Sequence, residues 1–346
     1  MSSPYQLALS FGDYMLRRKL KHLIVHVTNH CNFRCQHCFV DFETNKRDLP
    51  KETYFALAKE AGTLFWLDIG GGEPFIRKDL AEIVGAFHSP KIVHIPSNGS
   101  LPDQMVRQIA DMQRLQPDSE IVIGLSLDGM EATHDRLRGE PGNYQQVWKT
   151  FEKIRELGGK ISIKITTVIS NMNFGEILPL MREVLEHRAD FHSVILLRGK
   201  PPNPEMQLPP IAELRRIGPE IFELLNGYSY GRSAISAHVL RNYHRYLWNV
   251  SLATLDQQTQ VIPCYAGRSH MVVWGDGNVS ACEMLGPVGN LREQSFGEIL
   301  AGEAHREQVR SIRNKECHCT HNCAMLTSIL FNPASLPHLA HQTVQS

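Results

Sequence analysis

The chain has 346 residues, and 36 Lys and Arg balance 36 Asp and Glu, so its formal charge is zero and nothing pulls it as a whole toward nucleic acid or anionic lipid. Hydrophobic residues make up 42% and charged residues 21%, ordinary globular proportions that can fill one large domain and an appendage. No apolar run approaches the ~20 residues of a membrane span, and the first basic residues follow rather than precede the apolar ones, the reverse of a secretory signal, so a cytoplasmic location is expected.

In chain order, six Val/Ile/Leu-rich runs read as strands: HLIVHVT, TLFWLDI, KIVHIPS, EIVIGLSL, KISIKITTVI and SVILL. Continuous apolar runs of this kind suit parallel strands covered on both faces. Helical patterns lie between them. In NYQQVWKTFEKIRELGG the apolar Val147, Phe151, Ile154 and Leu157 step by three or four before a Gly pair, and FGEILPLMREVLEHR carries Pro179 near its first turn. Such βα alternation predicts a parallel α/β fold, either an open doubly wound sheet or a partial barrel. Polar or Gly-rich segments follow the strands: NHCNFRC, GGGEP, SNG, DG and SNMN. In both architectures the C-terminal strand ends carry the active site, so these segments are expected on one rim. The pattern breaks at RGKPPNPEMQLPP, whose prolines mark a linker; a mostly helical stretch with RNYHRYLWN follows, and from Cys264 the chain is rich in Gly and Cys.

The 8 cysteines fall into two groups: Cys31, Cys35 and Cys38, then Cys264, Cys282, Cys317, Cys319 and Cys323. In a reducing compartment such spacing indicates metal or redox chemistry rather than disulfides. Three thiolates can hold three irons of a [4Fe–4S] cube and leave the fourth iron open to another ligand. A zinc site completed by His30 or His37 is the alternative.

CxxxCxxC at Cys31, Cys35 and Cys38 after the first strand, with GGEP at Gly71, Gly72, Glu73 and Pro74 after the second, resembles the radical S-adenosylmethionine (SAM) enzymes. The resemblance spans roughly residues 20 to 200 and implies a partial (β/α)6 barrel in which SAM chelates the open iron. Glycines at 70–72 would let the backbone approach a ligand closely, and Glu73 would accept a hydrogen bond from the methionyl ammonium. The resemblance further implies cofactor contacts at Ser97 and Asn98 of PSNG, at Ser126 and Asp128 of LSLDG, and at Arg138 of HDRLRG, whose guanidinium suits the SAM carboxylate. His37 stands where the family often has Tyr or Phe.

CYAGRSHMVVWGDGNVSAC reads as a hairpin turning at GDGN, which sets Cys264 and Cys282 side by side, and CHCTHNC adds three thiols. A structural zinc knuckle would need the same thiolates. The region resembles the SPASM/Twitch-type auxiliary-cluster domains of radical SAM enzymes. Its closing CxCxxxC is shorter than the two-cluster pattern, so one auxiliary [4Fe–4S] cluster is expected on Cys264, Cys282, Cys323 and either Cys317 or Cys319. His318 and His321 read as surface or supporting residues.

The expected layout is a radical SAM core over 1–205, a Pro-rich and helical linker over 206–262, and a small Cys-rich hairpin/helix domain over 263–346. The implied reaction is reductive cleavage of SAM to a 5′-deoxyadenosyl radical, hydrogen abstraction, and oxidation of the substrate radical aided by the auxiliary cluster. It would draw electrons from a low-potential flavodoxin- or ferredoxin-like donor. Peptide-modifying relatives commonly carry a leader-recognition module of ~80 residues ahead of the core, and Cys31 leaves no room for one within this sequence. A small molecule is therefore expected, such as a sugar, an aminocyclitol or a tetrapyrrole side chain; peptide modification is the alternative, and a non-catalytic iron–sulfur or zinc protein a more distant one. Asp68, His192, Arg198 and the stretch from Tyr243 to Trp248 are candidates to line the substrate space.

Overall fold

The computed structural model describes residues 11–14, 20–38, 47–230 and 234–341; most of the segment ahead of the first strand and the end of the tail lie outside them. The six apolar runs form β1 (His22–Thr28), β2 (Trp66–Gly71), β3 (Ile92–Ser97), β4 (Glu120–Ser126), β5 (Ile161–Ile169) and β6 (Phe191–Leu196). Each pairs in parallel with the next, so spatial order follows chain order. Parallel neighbours cannot be joined by a tight turn. The crossovers contain α1 (Lys51–Ala61), α2 (Leu80–Ala86), α3 (Pro102–Leu115), α4 (Glu131–Arg138), α5 (Asn143–Leu157) and α6 (Ile177–Glu186). In α5 the predicted stripe Val147, Phe151 and Ile154 is buried, and Gly158 ends the helix at φ 63°. Pro179 occupies the third position of α6, where its missing N–H leaves no intrahelical bond unmade.

β2 departs from its expected bounds. It begins at Trp66 and takes in Gly70 and Gly71, because β1 pairs His26 with Gly70 and then Thr28 with Gly71 across a bulge. The first two glycines of GGGEP therefore belong to the sheet, and only the remainder turns out of it.

After the Pro-rich segment come α7 (Ile211–Leu225) and α8 (Ala234–Gln257). The predicted hairpin is β7 (His270–Val273) and β8 (Asn278–Ser280), extended by β9 (Gly289–Asn290). Its placement is the feature the sequence did not foretell: β7 lies parallel along the free edge of β1, with His22 opposite His270 and Val25 opposite Val273. The sheet runs β6-β5-β4-β3-β2-β1-β7-β8-β9. Among the described residues β6 pairs only with β5, so the barrel is open, and the Cys-rich segment continues the barrel's own sheet. The remaining helices are α9 (Phe296–Ala301), started by a Ser295/Glu298 capping box, α10 (Glu303–Arg313), α11 (Asn322–Leu330) and α12 (Leu336–Ala340). None of the described helices is long and apolar enough to cross a membrane.

With β2 on one side and β7 on the other, all seven residues of β1 are buried. Met271 is fully buried in this seam, and Met271→Ala is expected to cost about 2–5 kcal/mol. Because β7 is bonded to β1, guanidinium denaturation followed by tryptophan fluorescence should show one transition moved to lower denaturant. Two separate transitions would show that the C-terminal segment unfolds independently.

Candidate active site

The loop after β1 carries Cys31, Cys35 and Cys38 and is fastened from four directions. Thr28 Oγ1 donates to Asp48 Oδ2 at 2.5 Å, and the Asn29 amide donates to Asp48 Oδ1 at 2.8 Å. From β2, the Gly72 amide donates to the Thr28 carbonyl at 3.0 Å and the Glu73 amide to the His30 carbonyl at 2.9 Å. From β3, Asn98 Nδ2 donates to Asn32 Oδ1 at 2.9 Å. From α4, the Leu137 carbonyl accepts from the Gln36 amide at 2.9 Å.

These bonds explain the glycines. A Cβ on Gly72 would stand 2.0 Å from the His30 carbonyl oxygen, and one on Gly71, at φ 122°, 2.2 Å from the Thr28 carbonyl oxygen. At Gly70 nothing would be nearer than 3.7 Å. At Gly71 and Gly72 a close approach is thus already used backbone to backbone, to seat the cysteine loop. Gly70 to Gly72 still line the cavity that holds the three thiols.

Glu73 is 1% exposed, and its carboxylate accepts from the Phe75 amide at 3.2 Å, Ser97 Oγ at 3.0 Å and the Asn98 amide at 2.8 Å. Burial outweighs these donors and pushes it up to about 7. Ser97 and Asn98 therefore hold Glu73 and the cysteine loop while lining the same cavity, and Ser126 lines it as well. Asp128 sits apart from that lining. It is fully buried, accepts from the Val168 amide at 2.8 Å and pairs with Arg138 Nη2 at 2.6 Å. Burial would raise its carboxyl, but the Arg138 charge prevails and holds it below the usual range. Arg138 in turn reaches Cys35 Sγ with Nη1 at 3.6 Å. His37 directs Nε2 at Asp128 Oδ2, 3.4 Å away, so that nitrogen is turned from the thiols.

The cysteine loop suits a metal cluster by its donor chemistry. Burial pushes the Cys31 thiol up to about 11, with the Glu73, Cys35 and Cys38 charges adding to it. Three thiols whose charges oppose one another need a cationic group to become thiolates together. The second group divides. Charge repulsion couples Cys282 to Cys319 and Cys264, Cys319 to Cys264 and Cys317, and Cys317 to Cys264. Cys323, at the start of α11, is raised first by burial and then by Glu283 and Asp68. Cys323 and Glu283 line the cavity, and the ligand atoms of Cys323, Glu283 and His321 are within 4.8 Å of one another. Glu283 Oε1 also meets His26 Nε2 of β1 at 2.8 Å. His321 is buried against Glu283, whereas His318 is exposed and meets Gln258.

One cavity consequently runs from Cys31, Cys35 and Cys38 to Glu283, Asn322 and Cys323. Arg198 lines it, and Asp68 lines both it and a deeper pocket that includes Tyr243, His244 and Leu247. His192 is buried elsewhere, with Nε2 at 2.7 Å from Thr167 Oγ1. Sequence reading passed over His26, His94, Lys164 and Glu283. The signal was present for the strand residues: His26, His94 and Lys164 are ionisable side chains set among the Val and Ile residues of their strands.

Profile comparison matches the radical SAM superfamily over residues 25–184 and an iron–sulfur cluster-binding domain, SPASM, over 264–324. The chain belongs to the radical SAM superfamily and carries a C-terminal SPASM domain. With that membership come a SAM-binding [4Fe–4S] cluster, SAM itself and auxiliary iron–sulfur binding. The chain is 30% identical over 173 residues to the Fe-coproporphyrin III synthase of Methanosarcina barkeri, a match covering 47% of this chain and 40% of that protein. The AdoMet-dependent heme synthase of the same organism is 26% identical over 311 residues, 84% of each chain. In fold, the chain resembles Streptococcus suis SuiB bound to S-adenosylmethionine, with a TM-score of 0.64 at 18% identity over 90% of this chain and 74% of that one.

Gly72→Ala should displace the Cys31 loop and cut reconstituted iron from about eight to about four atoms per chain, while Gly70→Ala should retain the full content. Equal iron in the two variants would contradict this seating of the loop.

Proposed function

We propose that this chain is a radical SAM oxidoreductase that oxidises a small molecule held between two iron–sulfur sites. One observation carries the reading: the three-cysteine loop and the C-terminal Cys323–Glu283 pair line a single cavity, so a substrate seated there would lie between the radical source and the auxiliary domain. The deeper end of that space is covered by side chains of α8 and α11, which suits a compact substrate better than an extended peptide. Relatives named for the synthesis of heme and Fe-coproporphyrin III support a small molecule of biosynthesis.

Bound there, the clusters and SAM supply reductive cleavage to a 5′-deoxyadenosyl radical, hydrogen-atom abstraction, and acceptance of the substrate radical's electron. Cys31, Cys35 and Cys38 hold the SAM-binding cluster. The auxiliary cluster sits on Cys264, Cys282, Cys317 and Cys319; this uses both cysteines of CHC and leaves Cys323, expected from its motif to be a ligand, on the cavity side. Glu73 receives the methionyl ammonium. Arg138, fixed by Asp128, places its guanidinium beside Cys35. Reduction draws on an external low-potential donor.

Two measurements test this. Anaerobic reconstitution should give about eight irons, falling to about four in the Cys31/Cys35/Cys38→Ala variant with loss of 5′-deoxyadenosine. Cys323→Ala should keep all of the iron, whereas Cys319→Ala should not. About four irons in the unmutated protein would remove the auxiliary cluster from the scheme.

The second concerns pH. Only ionised Glu73 can pair with the ammonium, and burial sets its titration near 7. SAM affinity should therefore weaken as pH falls from about 8 to about 6, approaching tenfold per unit below the titration point, and Glu73→Gln should flatten that dependence. Equilibrium dialysis with labelled SAM reads both; parallel profiles would exclude Glu73 as the partner.

A further inference from the structure

Beneath the cysteine cavity the barrel bore continues into a pocket whose walls include Trp66, Phe191, Leu240, Tyr243, Leu247 and Leu330. Six residues line both spaces and stand at their junction: Asp68 from β2, His94 from β3, Lys164 from β5, and Ser193, Asn322 and Cys323; the first three carry ionisable side chains from the barrel strands. Their arrangement is specific. Asp68 accepts from His22 Nε2 at 2.7 Å, Trp66 Nε1 at 3.1 Å and His94 Nδ1 at 2.5 Å. Burial would raise this carboxyl, but His94 and His22 hold it well below the usual range. A carboxylate only accepts, so His94 carries its proton on Nδ1 and presents a lone pair at Nε2. That Nε2 is buried and has no hydrogen-bond partner among the described residues.

Lys164 is the second open group. Among the described residues its ammonium makes neither a hydrogen bond nor an ion pair within contact distance, and burial lowers its pKa although the nearby Asp68 and Cys323 charges oppose that. The two side-chain ends converge over Gly124 of β4. A Cβ there would stand 2.8 Å from His94 Nε2 and 3.0 Å from Lys164 Cε. The backbone of Gly124 does not demand glycine; it has no positive φ. The missing side chain is what leaves room for the two ends.

A cation and an acceptor lone pair, side by side above an apolar pocket, define a ligand. We propose that Lys164 anchors a carboxylate and His94 accepts a hydrogen bond from an adjacent hydroxyl, so that the substrate is a hydroxy acid with an apolar body lying toward α8. This rests on the small-molecule reading above and adds the chemical class to it. The body fills the pocket, the carboxylate replaces the water around Lys164, and the hydroxyl-bearing carbon is left toward the SAM side. A bare ammonium in this setting is worth more to an anion than one at the surface, because little solvent competes.

The test uses three probes of one shape with the reconstituted holoprotein and isothermal titration calorimetry. These are 3-phenyllactate, 3-phenylpropanoate, which lacks the hydroxyl, and 3-phenylpropane-1,2-diol, which lacks the carboxylate. Phenyllactate should bind at least about tenfold more tightly than the diol, with phenylpropanoate between them. Lys164→Met should abolish the preference for acid over diol while leaving iron content and diol binding intact. Equal binding of acid and diol by the unmutated protein, no binding of the acid, or an unchanged preference in Lys164→Met would each overturn the proposal. The unmutated comparison stands even if the variant misfolds. 5′-Deoxyadenosine formation is measured separately: its presence without acid preference removes only the anchor, and acid preference without it removes the radical reading.

Discussion

Two backbone hydrogen bonds, from Gly72 to Thr28 and from Glu73 to His30, are the constraint on which the site depends. They join the end of β2 to the cysteine loop at a separation that no side chain at 72 would permit. From this contact the rest follows in order. The turn it creates buries Glu73 against β3, where Ser97 and the Asn98 amide receive its carboxylate. Asn98 then reaches Asn32 within the cysteine loop. Three strand ends are thereby locked into one rim, and the thiols are placed by the sheet rather than by a self-contained loop. Preorganisation of this kind limits how far a bound group can wander from its reacting partner.

The β1–β7 pairing extends the same logic to the C-terminal segment. Because β7 continues the parallel sheet, the distance between the two thiol groups is fixed by strand spacing, not by a flexible linker. His26 of β1 and Glu283 beyond β8 meet across that seam. A sheet edge that would otherwise invite intermolecular pairing is covered in the process.

The barrel interior, in the bore and beside it, collects ionisable side chains that an apolar barrel would exclude. Asp68, Asp128 and Glu283 are each held ionised by a named partner: two histidines, an arginine, and two histidines again. Burying a charge without such a partner is costly. Lys164 and the Nε2 of His94 depart from this pattern, and that departure is why they, rather than the paired carboxylates, point to a ligand.

Strand order and the first cysteine loop were legible in the sequence because both are local. Val/Ile/Leu runs of strand length separated by helical stripes dictate βα units, and three cysteines within eight residues remain neighbours however the chain folds. The positions of β1, β3 and β5 were read to within a residue for the same reason. What the sequence could not decide depends on distance in space. Cys319 and Cys323 are four residues apart and look equivalent in a motif, yet the start of α11 swings Cys323 toward the bore while Cys317 and Cys319 stay in irregular chain beside Cys264. Gly71 and Gly72, read as clearance for a ligand, also give clearance to a neighbouring backbone, since only tertiary packing reveals what stands opposite a missing Cβ. Polar residues in apolar strands announce themselves in sequence, but their partners lie on other strands, and pairing across a sheet decides which become a held charge and which stay open to a substrate.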